Sequence, residues 1–195
     1  MRLSILFFLI SSVIYGQTLT DARDQQTYAY KKLGKLYWMT ENLRFDAQGS
    51  ICLKDCDQIR FYDFNYLANI CPEGWRLPSM LEWDAFTESF EGVESVRMME
   101  GNKKLYRVDF LDQFNLFDSN TLNIKPYGRI EGGEFKKGKY IDYWTVNDET
   151  DARFHMHISP YSITGHTHKH HLKSKKPEQF RLFAVRCVCE ITDNP

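Results

Sequence analysis

The sequence predicts an α+β fold in which short strands and long loops surround one principal helix and are stapled by disulfides. Three observations support this class: a strongly marked helix start near residue 79, alternating apolar and polar residues on both sides of it, and five cysteines. Aromatic residues make up 15% of the chain, which suits a compact core built from short strands. At 195 residues the chain is long enough for one domain with a sizeable hydrophobic core.

Residues 1–16 have the pattern of a secretory signal peptide. Arg2 supplies the positive charge, and residues 3–15 form an apolar run that only serines interrupt. This run is shorter than the roughly 20 residues that a membrane-spanning helix needs, and no second apolar segment follows. No cysteine stands at the junction to carry a lipid. We therefore expect residues 17–195 to be a single exported domain without a transmembrane segment, secreted or located in the periplasm or at the cell surface.

The first strands are predicted around a short turn. Residues 27–33 and 36–39 flank Gly34-Lys35, a typical two-residue hairpin connection. Residues 44–60 follow as a long, exposed loop. Residues 61–70 are rich in Tyr, Phe and Asn and are predicted as an aromatic strand or a short helix that leads toward the core.

The principal helix is predicted at about residues 79–91. Ser79 and Glu82 stand at the spacing of a capping box, in which each side chain binds a backbone N–H group at the helix start. Apolar residues then recur at helical spacing and form one stripe: Met80, Trp83, Phe86 and Phe90. Gly92 is a suitable C-terminal stop.

The second half of the chain is predicted to contain further strands and loops. The strands are predicted at residues 103–110, at 141–146 paired with 152–158, and at 180–191, the closing strand. The long loops are predicted at residues 112–141 and 165–177, and the glycine-punctuated run 126–138 within the first is predicted to contain turns and short strands. On the closing strand, Arg186 falls on the face of Leu182 and Val188, and Cys187 falls on the opposite face.

The five cysteines allow two disulfides, which export would permit. Any one cysteine can remain unpaired and the other four can pair in three ways, so sequence alone allows fifteen arrangements. We favour Cys71 with Cys187, because this bridge would join the segment before the helix to the last strand. Cys52 with Cys56 would clip a local loop. Cys189 would then remain, on the same strand face as Cys187, where the two thiols could exchange partners.

Several motifs occur in order along the chain and together form a recognisable pattern. They are Trp38-Met-Thr-Glu-Asn-Leu43, Cys71-Pro-Glu-Gly-Trp-Arg-Leu-Pro-Ser79, Tyr127-Gly-Arg129, Tyr143-Trp-Thr145 and Val185-Arg-Cys-Val188. The pattern resembles the Fibrobacter succinogenes major paralogous domain of exported bacterial proteins, especially those of the Bacteroidetes type, over residues 21–190. The resemblance implies a C-type-lectin-like fold with twisted antiparallel sheets, and it also implies the Cys71–Cys187 bridge. It implies no settled biochemical activity.

Two groups of residues are candidate metal ligands. Asn147 and Asp148 offer oxygen atoms to Ca²⁺, which lectin-like folds often use, although the same residues would make an ordinary polar turn. Zn²⁺ would instead be bound by imidazoles, because His155 and His157 alternate on a strand and share a face. The loop that follows adds more histidines: His166, His168, His170 and His171. This loop also carries several lysines, so a solvated basic loop is the alternative.

The leading functional prediction is a non-catalytic binding or adhesion module for glycans or other extracellular polymers, with no required cofactor. A net charge of −1 gives no indication of a nucleic-acid partner, and the sequence contains neither a Gly-x-Ser-x-Gly nor a His-Glu-x-x-His motif. One alternative is a metal-dependent enzyme that uses the His155–His171 region, or a thiol enzyme that uses Cys189. A further alternative is a structural protein of the cell envelope.

Overall fold

The computed structural model describes residues 17–54, 56–88, 96–100, 103–107, 122–146, 154–159, 162–167 and 181–191. The regular elements in these ranges are mostly short strands. In chain order they are β1 (Gln17–Thr20), β2 (Thr27–Leu33), β3 (Leu36–Met39), β4 (Ser50–Ile51), β5 (Phe61–Asp63), a 3₁₀ turn (Phe64–Tyr66), α1 (Met80–Glu88), β6 (Val96–Glu100), β7 (Lys103–Arg107), β8 (Arg129–Glu131), β9 (Glu134–Lys136), β10 (Ile141–Thr145), β11 (Phe154–Ser159), β12 (Ser162–Thr167), β13 (Arg181–Phe183) and β14 (Val188–Glu190). The predicted signal peptide, residues 1–16, lies outside the described residues.

The strands form three antiparallel sheets. Their orders are β1-β2-β3-β14, β4-β5-β13-β8-β9 and β10-β11-β12-β7-β6. The predicted hairpin at 27–33 and 36–39 is confirmed, with Gly34 at a φ of +62° in its turn. The predicted pairing of residues 141–146 with 152–158 is also confirmed, since β10 and β11 are antiparallel neighbours.

The described part of the chain is β-rich with one short α-helix, so the predicted α+β class is only partly correct. β4 lies inside the predicted loop 44–60, because a strand of two residues is too short for alternation to be visible. β8 and β9 lie in the run 126–138, where short strands are predicted. Within the residues that the structure describes, no helix is long and apolar enough to cross a membrane.

Helix α1 begins with the predicted capping box. The Glu82 N–H group donates to the Ser79 hydroxyl over 3.2 Å, and the Ser79 N–H group donates to the Glu82 carboxylate over 2.7 Å. Trp83 and Phe86 are buried, and Trp83 packs against Trp38 with ring centroids 4.8 Å apart. The predicted helix is therefore confirmed for residues 80–88, while 89–91, with the stripe residue Phe90 and the stop Gly92, lie outside the described residues.

The predicted closing strand is divided into two. β13 pairs with β5 and β8, whereas β14 pairs with β3, so the segment between them crosses from one sheet to another. The alternation of faces nevertheless continues through the crossing. Leu182, Ala184 and Val188 lie in one buried apolar cluster, and Phe183, Val185 and Cys187 lie in the other. Because the alternation is uninterrupted, the break between β13 and β14 could not be predicted from the sequence.

Both favoured disulfides are present. Cys71 bonds to Cys187 with a Cα–Cα distance of 6.0 Å, and Cys52 bonds to Cys56. Cys187 is fully buried, whereas Cys189 is partly exposed and has a free thiol. The long-range bridge therefore joins the segment before α1 to the segment before β14.

Candidate functional site

An open cleft of about 530 Å³ lies among the described residues, and we call it the aromatic cleft. Its lining residues come from four separate parts of the chain. They are Leu53, Lys54, Ile59, Phe61, Pro126, Tyr127, Phe135 and Lys137. A volume in this range is typical of small-molecule and ligand sites in proteins.

The aromatic cleft exists because the sheet β4-β5-β13-β8-β9 is curled. β5 and β9 are three strands apart, which in a flat sheet would separate them by about 14 Å. The ring centroids of Phe61 on β5 and Phe135 on β9 are nevertheless 6.1 Å apart. Ile130 is the cross-strand partner of both Leu182 and Phe135, so one apolar face runs from the core to the cleft. The floor of the cleft is thus the outer end of the core.

The walls of the aromatic cleft are unusually exposed for apolar side chains. Leu53 is 46% exposed and Phe135 is 43% exposed, whereas Ile59 and Phe61 beneath them are buried. Isolated exposed apolar residues are ordinary, but two that face one concave surface lined by further apolar groups are typical of a binding site.

The backbone around the aromatic cleft is held by two local constraints. The Cys52–Cys56 disulfide closes the short segment that carries Leu53 and Lys54. On the other side, Gly128 has a φ of +79°, and a Cβ atom there would lie 2.2 Å from the carbonyl oxygen of Lys136. Because only glycine fits this contact, the segment bearing Tyr127 is held close to the end of β9.

A small polar pocket of about 30 Å³ shares Tyr127 with the aromatic cleft. Between them, Gln58 accepts hydrogen bonds from the Tyr127 hydroxyl over 3.3 Å and from the Lys125 ammonium over 3.2 Å. The other lining residues are polar or charged: Thr40, Glu41, Asn42, Arg44, Asp57, Asn123 and Arg186. The two cavities therefore place apolar surface beside hydrogen-bonding groups.

Arg186 is the floor of the polar pocket, and it is completely buried. Its guanidinium donates to Asn42 Oδ1 over 2.9 Å and to the Leu122 carbonyl, and it lies 5.2 Å from the ring centroid of Tyr143. Burial lowers the pKa of Arg186. Its Nε has no hydrogen-bond partner among the described residues. It was not predicted from the sequence that Arg186 would be a buried cation at this pocket. The available signal was that Arg186 alternates with apolar residues on a predicted strand.

The predicted histidine site is only partly visible. His157 Nδ1 lies 2.8 Å and His155 Nε2 lies 3.5 Å from the same oxygen of the buried carboxylate Asp142. Arg129 donates to the other oxygen of Asp142 over 3.1 Å. The ring of His155 also packs on Phe183. The two histidines thus have protein partners.

The other predicted metal ligands are placed less completely. The Cα of His166 pairs with that of His155 across β11 and β12. His168, His170, His171, Asn147 and Asp148 lie outside the described residues. In the described ranges, no three His, Cys, Asp or Glu side chains form a group that could hold a metal ion.

Cys189 lacks the surroundings of an activated thiol. Burial and the nearby charge of Glu190 raise its pKa, although Arg76 opposes the shift. A catalytic thiolate at neutral pH needs a pKa that is lowered. Its Sγ contacts the backbone carbonyl of Glu190 at 3.3 Å.

The family comparison covers most of the chain. The model of the Fibrobacter succinogenes major domain matches residues 32–189, a range that contains every residue of the aromatic cleft and both disulfides. Comparisons with curated proteins and with solved structures found no match. The resemblance seen in the sequence motifs is thereby confirmed. The chain belongs to the Fibrobacter succinogenes major domain family.

Proposed function

We propose that the chain is an exported, non-catalytic binding or adhesion module that holds glycans or other extracellular polymers in the aromatic cleft. The observation that carries the proposal is the cleft itself, about 530 Å³ of open space with exposed apolar walls beside a polar pocket. The module requires no cofactor in this proposal.

The lining of the two cavities suits a carbohydrate chain. The rings of Tyr127 and Phe135 offer flat apolar surface for the C–H face of a sugar, while its hydroxyl groups need donors and acceptors. The polar pocket supplies these through Gln58 and Asn123. A site with apolar walls and a few placed polar groups is the common form of a ligand-binding cavity.

A binding role is favoured over catalysis by the titratable groups at the aromatic cleft. Among the described residues, its lining contains two lysines and Tyr127 but no carboxylate and no imidazole. Glycoside hydrolysis ordinarily uses a pair of carboxylates, and general acid–base chemistry most often uses histidine. The raised pKa of Cys189 likewise argues against a thiol enzyme.

Export and a C-type-lectin-like fold are part of the same proposal. The two disulfides support export, because such bonds persist in oxidising compartments, and the sequence pattern of residues 1–16 points the same way. The curled antiparallel sheets, the short helix and the bridge from its leading segment to the end of the chain support the lectin-like fold.

A glycan array probed with and without Ca²⁺ and Zn²⁺ tests the proposal. Leu53→Ala and Phe135→Ala should each weaken binding to the best array ligand by about tenfold if the cleft holds it. Leu81→Ala is the matched control, because Leu81 is 61% exposed on α1 and does not line the cleft. Absence of any array ligand, or binding that the two cleft substitutions leave unchanged, would refute the proposal. A protein that binds no ligand on the array would instead favour the alternative of a structural cell-envelope protein.

A further inference from the structure

The charged side chains among the described lining residues of the aromatic cleft are of one sign. Lys54 and Lys137 line it, and both side chains are exposed. Neither lysine has an ion-pair partner in the described part of the chain, and no acidic residue lines the cleft there. A third ammonium, that of Lys125, lies at the boundary with the polar pocket, where it binds the neutral amide of Gln58.

The acidic residues on β8 and β9, close in sequence to Lys137, are already paired, and Asp57, three residues from Lys54, lines the polar pocket and not the cleft. Glu134 binds Lys136 over 2.5 Å, so its charge is neutralised on β9 itself. Glu131 on β8 binds both Arg129 and Arg181, over 2.8 and 2.5 Å. The cationic character of the cleft is therefore not cancelled by these neighbours, even though the whole chain has a net charge of −1.

The two lysines stand at opposite edges of the curled sheet. Lys54 follows the edge strand β4, and Lys137 follows the edge strand β9. A ligand that lies across the apolar floor between them meets a cation at both sides. A single anionic head group with an apolar tail would use one of these charges, whereas a chain with repeated anionic groups would use both.

We infer that the ligand of the aromatic cleft is an acidic polysaccharide, whose sugar rings lie on the apolar floor and whose carboxylates face Lys54 and Lys137. This inference rests on the proposed function and specifies its ligand. The uronic-acid ring combines the two required features, an apolar face and a negative charge on every unit.

The test compares a galacturonic-acid oligosaccharide with its fully methyl-esterified form by titration calorimetry, using the full-length exported protein. The two probes share their rings and differ in charge, so the acid should bind and the ester should bind more weakly. Lys54→Gln and Lys137→Gln should each weaken binding of the acid by about two- to fivefold, and the double substitution by about tenfold. Raising the salt concentration should also weaken it, because exposed charges are screened.

Lys35→Gln is the matched control. Lys35 is also an exposed lysine, it lies in the turn between β2 and β3, and it does not line the cleft. Its replacement should leave the affinity unchanged. Circular dichroism melting of each variant separates loss of binding from loss of folding.

The outcomes separate this inference from the proposed function. Equal binding of acid and ester, with both lysine substitutions silent and Phe135→Ala damaging, would overturn the acidic ligand and leave a neutral-glycan module. Binding of neither probe would overturn the acidic ligand, and the array would then decide the proposed function independently. Binding of palmitate to the protein, with no affinity for any glycan, would overturn both, since it would make the cleft an amphiphile site.

Discussion

Replacing both Cys71 and Cys187 by alanine should cost much of the stability of this domain. The bridge closes a loop of 116 residues, so the chain-entropy relation gives a loss of about 16 cal/mol/K, or about 4.8 kcal/mol at 25 °C. A native domain is stable by about 5–15 kcal/mol, which makes this loss close to decisive. At about 2–4 °C per kcal/mol for a chain of this size, the melting temperature should fall by about 10–20 °C.

The Cys52–Cys56 bridge provides the matched control, because its sequence separation is only 4. The same relation then gives about 1.9 kcal/mol for Cys52→Ala/Cys56→Ala. Urea unfolding of the full chain, extrapolated to zero denaturant, measures the free energy of unfolding of both double variants. The wild-type protein under reducing conditions should lose the sum of the two stabilities. Equal losses from the two double variants would show that loop closure does not govern the contribution of these bridges.

Three further perturbations follow from individual contacts. Asn42→Ala should destabilise the domain by about 3–5 kcal/mol, because it leaves the buried Arg186 cation short of a partner, whereas Asn42→Ala/Arg186→Met should cost less than the single change. Burial alone would raise the pKa of Glu82, but the hydrogen bonds from Arg76 and Ser79, together with the charge of Arg76, lower it overall. The stability that wild type gains over Glu82→Gln should therefore be present above pH 4.5 and be lost as the pH falls through the lowered pKa. Alkylation of Cys189 by iodoacetamide should rise with a midpoint above pH 9.0, because its pKa is raised.

Each of these expectations has a contrary result. Urea unfolding that ranks the Asn42/Arg186 double variant below Asn42→Ala would mean that the buried cation is not the source of the cost. If the difference in melting temperature between wild type and Glu82→Gln stays constant from pH 7 to pH 3, the Glu82 carboxylate does not contribute to the loss of stability in acid. Rapid alkylation at pH 7 would show that Cys189 is an activated thiol.

The sequence was most informative where a structure is local. The capping residues Ser79 and Glu82 are three positions apart, so the capping box could be predicted from the sequence alone. The same holds for the hairpin around Gly34 and for the short Cys52–Cys56 disulfide. The long-range Cys71–Cys187 bridge was also predictable, because few cysteines were available and one arrangement joined the helix to the end of the chain.

The aromatic cleft could not be predicted because its walls are distant in sequence. Leu53, Tyr127 and Phe135 meet only when the sheet curls. Curling depends on side-chain packing across five strands, one of which, β4, was predicted as part of a loop. The histidines show the opposite problem. The pattern correctly placed His155 and His157 together, but it could not reveal that Asp142 on the neighbouring strand would face them.

The placement of β14 has a consequence for the order in which this chain can fold. Val188 pairs with Trp38, so the sheet begun by the first hairpin gains its fourth strand only from the end of the chain. The disulfide of Cys71 likewise cannot form before Cys187 is available. Such distant pairings make folding slow, since a long loop must close before its contacts form. A chain synthesised from its N-terminus would therefore keep this sheet incomplete until residues 188–190 had been made.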